Sequence, residues 1–335
     1  MRRSTTSSIG KRTTGGGATR AVALLAITSI ATLSGAAAAA PAPVAADAPA
    51  SGGTILLTIN GNLFTMSADG SGLAKLTSGG GVGDAAYSND GTKIAFHKKG
   101  DLYVMKANGT QVVRLTATPT VSETNPSWSP DGTQLAFERD EPAHTYDRSG
   151  VAVMNARPGA TYRLVRANTW TCHSGACWAS FYGRPDWSPA GGKLAIHNTF
   201  SPEEGHSFTA VEVISLTGAS VSFPGPAESI QPEFNPTGTQ VATVYTGDYL
   251  NSAEQVVRTP VLGGPESEVT PETALASDPV WSPDGKRLLV RYNASGDHTA
   301  PYHVYVVNAD GSGKHKLLTG SSSYSVIPRG WRAAG

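Results

Sequence analysis

Trp281-Ser282-Pro283-Asp284-Gly285 is the stretch from which the rest of the chain is read, because the sequence keeps rewriting it. Trp128-Ser129-Pro130-Asp131-Gly132 repeats it residue for residue. Looser copies are Trp187-Ser188-Pro189-Ala190-Gly191, Tyr87-Ser88-Asn89-Asp90-Gly91 and Phe234-Asn235-Pro236-Thr237-Gly238. A sixth aromatic, Trp331, stands four residues before Gly335, the same aromatic-to-glycine offset. Proline presets φ at the second position of a tight turn, Asp or Asn suits the third, and glycine takes the fourth without steric cost. Such a turn between apolar runs predicts a β-hairpin.

Five of the six landmarks are followed by a short apolar run, such as Lys93-Ile94-Ala95-Phe96, Gln134-Leu135-Ala136-Phe137 and Arg287-Leu288-Leu289-Val290. Runs this short and continuous fit strands covered on both faces. The landmarks are spaced 41, 59, 47, 47 and 50 residues apart, which is the period of four-stranded propeller blades. Thr54–Thr77 reads as a repeat lacking its first strand, and Val326–Trp331 as a first strand with nothing after it. Pairing the two completes a sixth blade and removes the open sheet edges. The expected fold is all-β: a six-bladed propeller of four-stranded antiparallel blades, closed by pairing N-terminal strands with the C-terminal strand.

The expected domain order is 1–46 as signal peptide and processing region, 47–53 as linker and 54–335 as propeller. Arg2, Arg3, Lys11, Arg12 and Arg20 form a basic leader, Ala21–Leu33 is apolar, and the next stretch is nearly all Ala and Pro. That is the pattern of a cleaved export signal, with an apolar core short of the roughly 20 residues of a membrane span. A formal net charge of zero argues against nucleic acid as a partner. Cys172 and Cys177 are the two cysteines, and an even pair in an exported protein is most simply a disulfide.

The succession W-S-P-D-G, then L-A-F, then the type of Val304-Tyr305-Val306-Val307-Asn308-Ala309-Asp310-Gly311-Ser312-Gly313 resembles the TolB-type β-propeller repeat. Asp101-Leu102-Tyr103-Val104-Met105-Lys106-Ala107-Asn108-Gly109 is a second good copy, and the likeness covers residues 54–335. The resemblance implies an envelope or extracellular propeller. TolB proper carries an α/β domain ahead of its propeller, where only a short tail is expected here.

Landmark turns and the turns between third and fourth strands share one end of the blades, and both are short. The opposite rim takes the longer connections, including Asn198–Phe208 and Arg166–Gly183, and is the expected working face. Arg166–Gly183 contains Trp170, His173, Trp178, Phe181 and Tyr182 around the cysteine pair, a set of candidate binding anchors. Residues just before each landmark should face the central channel: Arg184, Asp186, Gln231, Glu233 and Asp278, with Arg329 in the closing blade. They suit a small polar ligand, a peptide terminus or a cation, or form a merely solvated wall.

His97, Glu138, His197 and Arg291 end second strands and should point to the elaborated rim; the two histidines are candidate metal ligands only in an alternative reading. No G-x-S-x-G, H-E-x-x-H, P-loop or dinucleotide fingerprint occurs in the sequence. The expected function is therefore a secreted, monomeric, non-enzymatic module binding a protein or cell-wall ligand through its rim, without cofactor. The alternative is a metal-dependent lyase or hydrolase of acidic sugars, using a divalent cation.

Overall fold

The fold is described by a computed structural model covering residues 52–142, 146–173, 176–247 and 254–334. The leader expected over 1–46 lies outside the described residues. In chain order, β1 (Thr54–Ile59), β2 (Asn62–Ser67) and β3 (Ala74–Lys75) come first. Blade two is β4 (Val82–Tyr87), β5 (Lys93–Lys98), β6 (Asp101–Lys106) and β7 (Val113–Arg114). Blade three is β8 (Ser122–Trp128), β9 (Gln134–Asp140), β10 (Gly150–Asn155) and β11 (Tyr162–Ala167).

Blade four is β12 (Thr169–His173), β13 (Ala176–Trp187), β14 (Lys193–Pro202), β15 (Phe208–Ser215) and β16 (Ser220–Ser222). Blade five is β17 (Ser229–Phe234), β18 (Gln240–Tyr245), β19 (Gln255–Pro260) and β20 (Ser267–Glu268). Blade six is β21 (Leu275–Trp281), β22 (Arg287–Asn293), β23 (His303–Asn308) and β24 (His315–Leu318). Finally β25 (Val326–Arg332) pairs antiparallel with β1, so both ends of the described chain build blade one.

The six-bladed ring and its closure are as expected; one blade departs from four strands. In blade four the segment expected as a loop over 166–183 is mostly the β12–β13 hairpin, and that expected over 198–208 begins as a continuation of β14 to Pro202 and is a loop only over 203–207. Among the described residues no helix is long and apolar enough to cross a membrane.

The landmark turns explain themselves at the atomic level. In Ser129-Pro130-Asp131-Gly132 the Gly132 amide donates to the Ser129 carbonyl at 2.9 Å, closing a β-turn. The Ser129 hydroxyl donates to Asp131 at 2.6 Å and accepts the Gln134 amide at 2.9 Å. Ser88 and Ser282 repeat this with Asp90 and Lys93, and with Asp284 and Arg287. Asn235 reaches the same end with its amide oxygen, which accepts the Thr239 and Gln240 amides.

Second strands carry the core. Ile94 and Phe96 pack toward blade one, while Ala95 packs toward blade three. Leu135 and Phe137 face blade two, and Ala136 faces blade four. The same split runs through β14, β18, β22 and β1, so six apolar clusters lie one between each pair of neighbouring blades. Cations from one blade cover aromatics of the next: Lys93 stands 5.5 Å from the Trp128 ring and Arg287 lies 5.4 Å from that of Trp331.

Trp331 is 8% exposed and packs with the core shared by blades six and one. Trp331→Ala is expected to lower unfolding free energy by about 3–5 kcal/mol, the cost of a large cavity in a packed core. Urea unfolding measures this, and amide exchange should show β1 and β25 loosening first. An unchanged unfolding midpoint would mean that the closing strand contributes no stability.

Candidate functional site

The first strand of a blade must turn polar side chains toward the axis while keeping its apolar ones in the core. It does so with a bulge. Register shifts occur at Thr124/Ser127, Gly183/Asp186, Ile230/Glu233 and Ser277/Val280, and a related one at Val82/Ala85. Within the first four, Asn125, Arg184, Gln231 and Asp278 hold positive φ of 51°, 45°, 55° and 51°. Each non-glycine residue so held costs about 1–3 kcal/mol. Each also precedes a proline, which needs no ladder partner and so sits in a bulge without losing a hydrogen bond.

The bulges line a cavity of about 550 Å³ on the axis. Arg184, Asp186, Gln231, Glu233, Asp278 and Arg329 all contribute to its wall, so the expected channel residues are brought together. Its mouth is formed by the landmark turns, including Pro130, Pro189, Pro236 and Pro283, while none of the anchors expected on the opposite rim lines it. The described cavity therefore belongs to the short-turn face rather than to the loop-rich one.

Polar contacts tie every neighbouring pair of blades around this wall. The Ser127 hydroxyl donates to Asp186 Oδ1 at 3.1 Å, and the Phe234 amide donates to Asp186 Oδ2 at 2.6 Å. Gln231 Oε1 accepts the Asp278 amide at 2.7 Å. Arg329 bridges Asp278 at 3.7 Å and Asp84 at 2.6 Å. The Trp128 indole closes the circuit by donating to the Ala86 carbonyl at 3.2 Å.

His97 and Glu138 do not point to the rim as expected. His97 Nδ1 accepts the Asp84 amide at 3.1 Å, and Glu138 accepts from Asn125 at 2.9 Å and from the Arg184 amide at 3.1 Å. Both fold under the inner strand because Gly83 and Gly183 leave room: a Cβ on either would collide with the imidazole or the carboxylate. Those glycines, each directly before an axial position, were the legible signal for this turn inward.

The electrostatics divide into two levels. At the deeper one, burial works to raise the Asp84 carboxyl, but Arg329, Arg184 and His97 together hold it below its ordinary value. Burial lowers the His97 imidazole against the pull of Asp84, and burial with nearby Arg184 pushes His197 down to about 4. The other level holds the adjacent pair Asp186 and Glu233. Burial raises Asp186 to about 6 despite its hydrogen bonds, and burial together with Asp186 drives Glu233 well above its ordinary value.

His97 and His197 do not assemble a metal centre. His97 sits 3.4 Å from Asp84, while His197 Nε2 is 3.1 Å from Thr199 Oγ1. Among the described residues no three His, Cys, Asp or Glu side chains gather to hold an ion.

The rim anchors belong to a ribbon that continues blade four beyond the ring. Cys172 and Cys177 are register partners in it and are disulfide-bonded. Strand alternation then places Trp170 and Phe181 on one face with the disulfide, and Trp178 and Tyr182 on the other. Tyr146, from blade three, stacks on Trp170 and meets Phe181, each at 5.9 Å. On the other face Trp178 meets Phe200 at 6.3 Å, whose register partner is Phe208. Tyr182 is half-buried beneath the Arg166 guanidinium, and His173 ends β12 exposed. The five anchors thus split over two faces, and Phe200 and Phe208 join them unforeseen.

No protein-family model matches the chain. It is 27% identical over 243 residues to an uncharacterized peptidase, YuxL, of Bacillus subtilis, matching 68% of this chain and 32% of the relative. The chain thus spans about a third of the length of that curated relative. TolB of Acinetobacter baumannii superposes with a TM-score of 0.63 at 17% identity, over 84% of this chain and 67% of that one. A structure assigned as TolB from Agrobacterium tumefaciens gives 0.56 at 13% identity, over 85% of this chain and 100% of that one. The fold is that of a TolB-type propeller.

The depressed histidines set a pH dependence of stability. A group whose folded-state pKa lies below its unfolded value contributes stability above the unfolded pKa that is lost as pH falls. For His197 that window runs from the ordinary 6.5 down to about 4. Urea unfolding of His197→Gln at pH 7 and pH 4.5 should therefore show a smaller acid loss than the parent protein. An equal or larger loss in the variant would contradict the burial of a neutral imidazole.

Proposed function

We propose that the protein is an exported, non-enzymatic binding module that holds a protein partner on the ribbon projecting from blade four. The carrying observation is the exposure of its rings: Trp170 is 48% exposed, Phe181 39%, Phe200 37% and Phe208 56%. Large rings with few rotatable bonds bury much area at little entropic cost, which makes them anchors. Both faces of the ribbon carry them, so the feature fits a cleft or arm that closes around it.

The free edge of β12 favours a protein over a saccharide. All five of its residues are exposed, and it pairs only with β13. β12 lies at the inner edge of blade four's sheet, beside β13, and like the blade's outermost β16 (Ser220–Ser222) it lacks the charges that discourage strand addition on the outer strands of other blades, such as Lys75, Arg114 and Lys316. Thr169-Trp170-Thr171-Cys172-His173 has no Lys, Arg, Asp, Glu or Pro and offers main-chain donors and acceptors. Export is supported by the disulfide and by the leader composition of residues 1–46.

A photocrosslinking amino acid at position 170 or 208, in cells making the protein, is expected to trap one discrete protein adduct. The same label at Thr133, on the turn face, should trap none. Trp170→Ala with Phe208→Ala should weaken capture about thirtyfold, the loss of a hot spot of roughly 2 kcal/mol. Their melting temperature should hardly move, because exposed side chains contribute little to stability. Capture only from Thr133, or a saccharide polymer bound in place of a protein, would overturn the assignment.

A further inference from the structure

Beyond the rim, and independent of it, the axial cavity presents a second site. We propose that this cavity takes an aliphatic ammonium group, seated between the carboxyl groups of Asp186 and Glu233.

The placement of charge carries the inference. One position before each landmark aromatic, the ring of side chains reads Ala86, Ser127, Asp186, Glu233, Val280 and Gly330. Its two charged members are both acidic and stand on adjacent blades, and no cation is among the groups that shift either carboxyl. Each cation of the cavity wall is engaged elsewhere: Arg329 by Asp84 and Asp278, Arg184 in the field of Asp84, Glu138 and His197, and Arg332 by the Gly91 carbonyl and the Tyr87 ring.

Asp186 is fixed at both oxygens, by Ser127 and by the Phe234 amide, and Ser127 is itself fixed by the Trp187 amide at 2.9 Å. The Glu233 carboxyl has no hydrogen-bond partner among the described residues and forms part of the cavity wall. Two neighbouring carboxyls withdrawn from water resist ionising together unless a proton or another cation joins them. Their raised affinity for protons reports that need.

The surroundings select among cations. Pro185, Pro232, Val280, Trp187 and Trp281 contribute to the wall, apolar residues that suit a methylene chain. A hard divalent ion asks for six or more oxygens, which two carboxyls and one hydroxyl do not supply. An ammonium has three donors, matching Glu233, Asp186 and one further acceptor or water. The shared chemistry fits either a free polyamine or a lysine side chain of a peptide entering the mouth.

Calorimetric titration of the full chain with 1,4-diaminobutane, and with a terminally blocked Gly-Lys-Gly peptide, tests the site. Fluorescence of Trp187, Trp281 and Trp331 gives a second readout. Binding of either probe supports the proposal, and which one binds identifies the source of the amine. The ammonium displaces a proton from the pair, so the apparent heat should differ between buffers of different ionisation enthalpy. Affinity should climb with pH, approaching tenfold per unit while one proton is displaced.

Glu233→Gln should reduce the affinity at least roughly tenfold and remove the proton release. The pH series on the unaltered protein is a check that does not depend on how Glu233→Gln folds. The proposal is overturned if neither amine binds, if binding is unchanged in Glu233→Gln, if no proton is released, or if calcium binds the pair in preference to the amines.

Discussion

Every second strand of the ring is buried on both faces, and the rest of the architecture follows from that constraint. A lone sheet with Leu135 and Phe137 on one side and Ala136 on the other would expose apolar surface whichever way it turned. Each blade thus needs two neighbours, and a row of blades ends in two unsatisfied faces unless it closes. Closure by β25 on β1 joins chain segments far apart in sequence, and covers Ile55 and Leu57 on one side while Leu56 serves the other. The pairing is expensive in chain entropy, and this explains why it is reinforced by Trp331, by the cation over it and by Arg329 at the axis.

Much of this was legible because each repeat solves the same local problem with the same residues. The Ser-Pro-Asp-Gly turn is determined within itself: Ser129 needs only Asp131 and Gln134 to hold its shape. The half-repeats at the two ends were legible by complementarity, since one lacked what the other had in excess. The axial residues followed from register, because positions before a landmark must fall on the innermost strand whatever their identity. Even the Asp186–Glu233 adjacency is a register statement, as both occupy the same position in neighbouring repeats.

What failed to be legible depended on contacts between strands that no local window contains. Asn198–Pro202 looks like a loop, with its polar residues and proline, but it pairs with Trp178–Tyr182 and takes the strand conformation that partner offers. The split of the aromatic anchors over two faces needed the hairpin register, which the spacing of Cys172 and Cys177 alone left open. His97 and Glu138 were misdirected for a related reason. The side chain's path is decided by a distant glycine, Gly83 of the same blade for His97 and Gly183 of the next blade for Glu138, rather than by its own neighbours. A repeated X-Pro two residues before the aromatic, at Asn125-Pro126, Arg184-Pro185, Gln231-Pro232 and Asp278-Pro279, was present in the sequence and would have disclosed the bulges.

The two faces of the ring are therefore built differently. On the turn side, backbone strain at four positions is maintained by the surrounding sheets and holds polar groups rigidly against an axial cavity. Rigidity there suits recognition of something small, because a fixed constellation loses little entropy when it is occupied. On the other side, blade four extends past the ring as a disulfide-bonded ribbon whose rings project into solvent. A projecting element has no cavity to enclose a small molecule, but it presents area, and area with aromatic anchors suits a macromolecule. The belt of hydrogen bonds and ion pairs joins all six blades between these faces, and Asp186, at its centre, lies on the strand β13 that continues directly into the ribbon.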